Sequence, residues 1–284
     1  MNNAKLIITS MIIASLIIIM GIIFVVEDKD VSKNGALITT AETLDIIIPI
    51  RWGDLGMKMV NAGVIDPIKL NALYNSRGGL TTNGKGLTKG GYNGPLVINA
   101  ENANYILNLL WAFGLSNKNS LLDNGPISDA KYGTPGRFAS TGGWTLANGN
   151  AMEHFSAHKF INLTPPQQAL VDEMAKNIHR PCCNNPTHFP DCNHGMAMLG
   201  LLELMAANDL TEKEMYDIAL RVNALWFPSQ YKTIAHYLSS DNQSHEPLEP
   251  KEILGSQFSS AAGYQKIVGL INQPRQNGGN GCGV

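Results

Sequence analysis

Residues 194–208 read HGMAMLGLLELMAAN. Apart from Glu203, this run is apolar on nearly every face of a helix, which predicts a helix buried at the centre of the fold rather than one lying on its surface. A helix of that kind needs other helices around it, and the start and stop signals along the chain supply them. Asp66-Pro67 can serve as N-cap and first residue of PIKLNALYN, after a first helix WGDLGMKMVNA that Gly63 closes. Asn99 can cap AENANYILNLLWAF, with Gly114 as its stop, and Thr164-Pro165 opens PPQQALVDEMAKNIHR. Thr211 and Glu214 form a T-x-x-E capping box ahead of EMYDIALRVNALW, with Pro228 beyond its end, and SSAAGYQKIVGLI reads as the last helix. Outside the N-terminus, LDIIIPI is the one strongly β-branched run, a candidate for a single buried strand. The reading is therefore mostly α: a single helical domain over residues 41–273, with long Gly-rich loops.

The chain begins differently. After a five-residue tail, residues 6–26 (LIITSMIIASLIIIMGIIFVV) carry no charge in 21 positions. At about 1.5 Å per residue such a helix spans roughly 30 Å, the hydrocarbon thickness of a bilayer. A secretory signal would have a shorter apolar core and a small-x-small cleavage site. The run reads as an uncleaved single-span anchor, with residues 27–40 as a tether. Lys5 and the α-amine on one flank nearly balance Lys29 and Lys33 on the other. The downstream EDKD flank is anionic, though acids count little in that balance, and the expectation is a body outside the cytoplasm.

Just upstream of the central helix, residues 179–194 read HRPCCNNPTHFPDCNH. Three of the four cysteines and three of the seven histidines fall in these sixteen positions. Pro181, Pro186 and Pro190 restrict the backbone and lower the entropic cost of bringing ligands together. Cys192 and His194 would lie in the first turn of a helix, where unpaired N–H groups and the macrodipole favour a thiolate. Glu203 nearly shares the face of Cys192 but lies roughly 16 Å further along the axis, out of reach of the same ion.

Three readings fit this cluster. Some of Cys182, Cys183, Cys192, His188 and His194 could hold a transition metal, with zinc suited to thiolates and imidazole and cuprous copper to thiolates with Met196 or Met198. Alternatively a disulfide from Cys182 or Cys183 to Cys192 closes a loop of about ten residues, worth roughly 2–3 kcal/mol. Thirdly, Cys192 could be a nucleophile with His194 or His188 as its base.

The fourth cysteine, Cys282, sits in the Gly-rich tail PRQNGGNGCGV, residues 274–284. About eight flexible residues reach roughly 15 Å, so this thiol could exchange metal or electrons with the cluster. The tail resembles the mobile C-terminal thiol arms of certain flavin-dependent disulfide and mercuric reductases, but no G-x-G-x-x-G fingerprint accompanies it.

Other segments yield less. GLTTNGKG, within the Gly-rich stretch 77–95, misses the phosphate-cradling loop because Gly86 stands where a Ser or Thr would bind magnesium, and no strand precedes it; the stretch reads as a mobile surface loop. GNAMEHFSAHKF places His154 and His158 four apart, on one helical face, where they could complete the metal site. Glu153 precedes the pair instead of following its first histidine, so the general base of the zinc-peptidase motif is missing. FASTGGWT, residues 138–145, reads as a turn. A net charge of −2 and the lack of a basic stripe argue against nucleic-acid binding. The expectation is a membrane-anchored extracytoplasmic protein with a Cys/His metal or redox thiol site. The alternative is a disulfide-stapled, non-catalytic interaction module tethered to the membrane.

Overall fold

The computed structural model describes residues 44–240 and 248–271, together with Ile38. The expected anchor at 6–26, nearly all of the tether at 27–40, and the tail with Cys282 lie outside the described residues. Among those described, no helix is long and apolar enough to cross a membrane.

The body is mostly helical, as the start and stop signals predict. The central helix α7 is Asn193–Ala207, counting β1 Ile46–Ile48, α1 Leu55–Asn61, α2 Pro67–Asn75, α3 Thr82–Gly86, β2 Leu96–Ile98, α4 Ala103–Ser116, α5 Ser120–Asn124 and α6 Pro165–Asn177 before it. After it come α8 Glu212–Trp226, α9 Pro228–Ser240, the short α10 Pro250–Ile253 and α11 Ser256–Ser259, and α12 Ala261–Ile271. From Gly195 to Ala206 every residue of α7 is buried. Its closest neighbour is α4, itself buried along most of its length.

Gly114 is not the stop that the sequence suggests. α4 continues to Ser116, and Gly114 serves instead to let two backbones meet. A Cβ there would stand 2.2 Å from the Met196 carbonyl oxygen, and one on Gly200 would stand 2.5 Å from that of Leu110. The two glycines set a crossing too close for any side chain.

Other expectations hold locally. Asp66 accepts from the backbone N–H groups of Ile68 and Lys69 at 2.8 and 3.3 Å, and Glu214 closes the capping box on Thr211 N at 2.8 Å. Gly63 follows α1 with φ of +80°, the left-handed turn that glycine takes without strain. Pro228 ends α8 but also opens α9 at the position where a missing N–H costs nothing; α9 was not legible beforehand. LDIIIPI does contribute a strand, which pairs antiparallel with Leu96–Ile98, Ile46 facing Ile98. Ile46 and Ile48 are buried and Ile47 is exposed, the period-two alternation of a half-buried strand.

The Gly-rich stretch 77–95 differs from the expected mobile loop. It holds the short helix α3, and Trp52 Nε1 and the Tyr105 hydroxyl fasten it by donating to the carbonyls of Leu87 and Gly84 at 2.8 and 2.9 Å.

Candidate metal and thiol site

The connection from α6 to α7 brings the cysteines together through one residue that the cysteine and histidine pattern does not reveal, Arg180. Its side chain is 1% exposed. The guanidinium donates from Nε to Cys192 Sγ at 2.9 Å and from one terminal nitrogen to the Asn185 carbonyl at 3.0 Å. The other terminal nitrogen donates to Asp191 Oδ1 at 2.8 Å and to the Phe189 carbonyl at 3.4 Å. A planar fork of fixed donors thus folds residues 185–192 around itself. Gly195 makes room: a Cβ at that position would lie 2.4 Å from the guanidinium.

Cys192 is the N-cap of α7, and its Sγ accepts from Gly195 N at 3.4 Å. This places the sulfur at the positive end of the helix. Cys182 Sγ stands 3.7 Å from Cys192 Sγ. Cys183 Sγ lies 3.9 Å from Asp191 Oδ1, which Asn185 Nδ2 supports by donating to Oδ2 at 2.8 Å. Two ligand sets have all their atoms within 4.8 Å of one another: Cys182, Cys192 and His194, and Cys183, Asp191 and Cys192. Cys182 is exposed and the other members are partly buried. All three cysteines are free.

The thiols share charge unequally. Hydrogen bonds from Cys182 and Cys183 pull Cys192 far below the ordinary thiol range, aided by His194 and the positive charge of Arg180 and opposed by burial. Cys182 is held well above that range by its contacts with Cys183 and Cys192 and by burial. Cys183 is also raised: contact with Cys182 lowers it, but Cys192 and burial outweigh that. Burial works against the charge on Arg180, yet the neighbouring Cys192, Cys183 and Asp191 keep it firmly protonated. Of the three thiols, Cys192 is the one whose surroundings favour the thiolate, the form that binds a metal or reacts.

The histidines divide. His194 belongs to the cluster, its ring 4.5 Å from that of Phe227 and 5.9 Å from that of Trp226. His188 is in neither ligand set; it faces a separate cavity with Asp172, and burial lowers its pKa. His179 turns Nδ1 to the Asn177 carbonyl at 3.3 Å. His154 and His158 do not sit on a helix. Residues Ala151–Glu153 form a single 3₁₀ turn, and Ser156 at φ of 50° breaks the path. The pair bond to each other, Nδ1 to Nε2 at 3.0 Å, and neither joins the cluster sets. Met196 and Met198 are fully buried in the helical core.

Arg180 and Asp191 join the cluster without belonging to the cysteine and histidine pattern. The available signal was an arginine pinned between a helix end and Pro181, with an acid immediately before the capping cysteine.

Residues beyond the connection hold it in place. Ala261 N donates to the Cys183 carbonyl at 3.0 Å and Ala262 N to Asn184 Oδ1 at 2.8 Å, so α12 begins against the loop. Asn223 Nδ2 of α8 donates to the His179 carbonyl at 2.9 Å.

No family model, no curated protein and no solved structure matches the chain.

Proposed function

We propose that the chain is a membrane-anchored, extracytoplasmic protein that binds one transition metal ion, zinc or cuprous copper, through Cys182, Cys192 and His194. Residues 6–26 are the anchor in this reading, Cys183 is the thiol in reach as a further ligand, and Cys282 on the tail is an exchange partner.

One observation carries the metal reading. Two thiolates bound at about 2.3 Å with tetrahedral angles are about 3.8 Å apart, and Cys182 and Cys192 stand at 3.7 Å. A disulfide would require about 2.05 Å. The N–H groups of Arg180 and Gly195 on Cys192 are the kind of outer contact that orients a thiolate ligand.

A second reading rests on the same thiolate. A depressed Cys192 beside an accessible Cys182 is also the arrangement of a redox pair: by thiol–disulfide exchange it would reduce a partner's disulfide to two thiols while forming a Cys182–Cys192 disulfide, and a dithiol donor would reverse the exchange.

The test is the native mass and metal content of the full chain, purified in mild detergent without chelator or reductant, beside a Cys192→Ser variant. One ion per chain, lost in the variant, is the expected result. A metal-free chain with a deficit of two hydrogens would replace the metal reading with the redox or stapled one. A metal-free chain with all thiols free would sink both.

A further inference from the structure

His194 has a second role. Besides closing the Cys182–Cys192 set, it lines a cleft of about 300 Å³ that none of the cysteines lines. That is the lower limit of small-molecule pockets, which run from about 300 to 1,000 Å³.

One wall is a single face of α4. Asn104, Leu107, Asn108 and Trp111 line the cleft, at i, i+3, i+4 and i+7, the spacing that stacks side chains along one stripe of a helix. Opposite them stand Trp144 and Leu146 from the connection before α6, with Asn193 and His194 from the start of α7.

The tryptophans are fixed. Trp111 Nε1 donates to the Ser140 carbonyl at 2.6 Å and Trp144 Nε1 to the Val64 carbonyl at 2.8 Å. Their rings meet edge to face at 4.9 Å. Trp144 is 3% exposed, so it backs the cleft, while the partly buried Trp111, its indole N–H already bonded, offers a ligand carbon surface.

Charge in the cleft has one sign. No Asp, Glu or Lys lines it, and Arg77 is its one formally charged residue. Arg77 is exposed and makes no ion pair among the described residues; it donates to Asn104 Oδ1 at 2.8 Å and lies over the Tyr74 ring at 5.9 Å. The amides at the start of α7 add a weaker positive potential through Asn193.

We propose that this cleft is the substrate site of the metal centre and that it takes a small carboxylate with a flat apolar body. The carboxylate meets Arg77, the body lies on Trp111 with Trp144 behind it, and Asn108 and Asn193 supply hydrogen bonds. His194 brings the bound molecule beside the ion. One fixed cation with no second one matches a singly charged carboxylate better than a phosphate dianion. This inference rests on the metal reading for the role of the cleft, though the cleft's own preference can be measured without it.

The test uses the full chain in detergent, with metal content measured on every sample, titrated with phenylacetate and with its neutral isostere phenylacetamide by calorimetry. Hydrogen bonds to a charged partner exceed neutral ones by about 1–1.5 kcal/mol, so phenylacetate should bind about tenfold tighter. Arg77→Gln should abolish that preference. Equal binding of the two compounds, or no binding of either, overturns the proposal, and this comparison needs no variant. A preference that survives in Arg77→Gln also overturns it. If phenylacetate is preferred by a chain that carries no metal, the carboxylate site stands and the metal centre falls. If metal is present and there is no preference, the reverse holds.

Discussion

Glu203 offers the most direct test of how this core is built. It lies midway along α7 with no exposed surface, and its Oε2 accepts from Asn117 Nδ2 at 2.5 Å. Its Oε1 and the neighbouring Asn119 Nδ2 are buried and complete no hydrogen bond. Burial raises the carboxyl from 4.5 to about 8, with the Asn117 hydrogen bond pulling it partly back. Between these two values the folded chain keeps a proton that the unfolded chain has released. Unfolding then releases a proton, so stability falls as pH rises. The contribution is fully present below pH 4.5 and is lost by about pH 8. At 1.36 kcal/mol per pH unit, the loss is at most about 5 kcal/mol.

Glu203→Gln keeps an acceptor for Asn117 and cannot ionise. Relative to the native chain it should be nearly neutral at pH 4.5 and more stable by several kcal/mol at pH 8. Urea unfolding of both chains at several pH values would measure this. His158, His179 and His188 have lowered pKa values, chiefly because burial disfavours their charged forms. Their effect has the opposite sign, stability rising with pH, and it cancels in the difference between the two chains. A difference that stays flat from pH 4.5 to 8, or a glutamine variant less stable at pH 8, would refute the account of Glu203 as a neutral acid.

Two further substitutions probe the cluster. Arg180→Met strands the Asp191 carboxylate, the Cys192 thiolate and two backbone carbonyls, and should destabilise the fold by about 3–5 kcal/mol. Arg180→Lys should recover little, because one ammonium cannot serve four acceptors in the plane of a guanidinium; denaturant midpoints decide, and a lysine variant within 1 kcal/mol of native would contradict this. Cys183→Ser should retain the metal if Cys182, Cys192 and His194 are sufficient. Metal analysis showing complete loss would make Cys183 an obligatory ligand.

The sequence revealed the helices best where a signal is local. Asp66-Pro67, Thr164-Pro165 and the Thr211–Glu214 box act within four residues of themselves, so each start could be placed without knowing the fold. Gly114 misled because a glycine near a helix end has two physical uses, and only the partner helix with Gly200 decides between them. His154 and His158 misled similarly: i and i+4 share a face only if the backbone between them is helical, and Ser156 is not. α9 went unseen because Pro228 was credited with stopping a helix and not with starting one. The cluster itself was visible as composition, and the place of Cys192 at a helix N-terminus followed from the apolar run after it. Arg180 was not visible, since its burial depends on acceptors collected from five to twelve residues away and on the gap left by Gly195.

That hidden arginine also bears on which ion the site would prefer. Arg180 and Asp191 cancel each other's charge at 2.8 Å. If Cys182 and Cys192 both bound as thiolates with the His194 imidazole, their charge would offset a dication, whereas cuprous copper would leave one negative charge beside the buried core. Recruiting Cys183 as a third thiolate would leave zinc with that same excess and complete a closed four-ligand set of the structural type. In the proposed metal reading, three protein ligands would leave a tetrahedral ion one open position. His194, a member of that set, also lines the cleft whose one formally charged residue is Arg77, so the open position would face the side from which a carboxylate could approach.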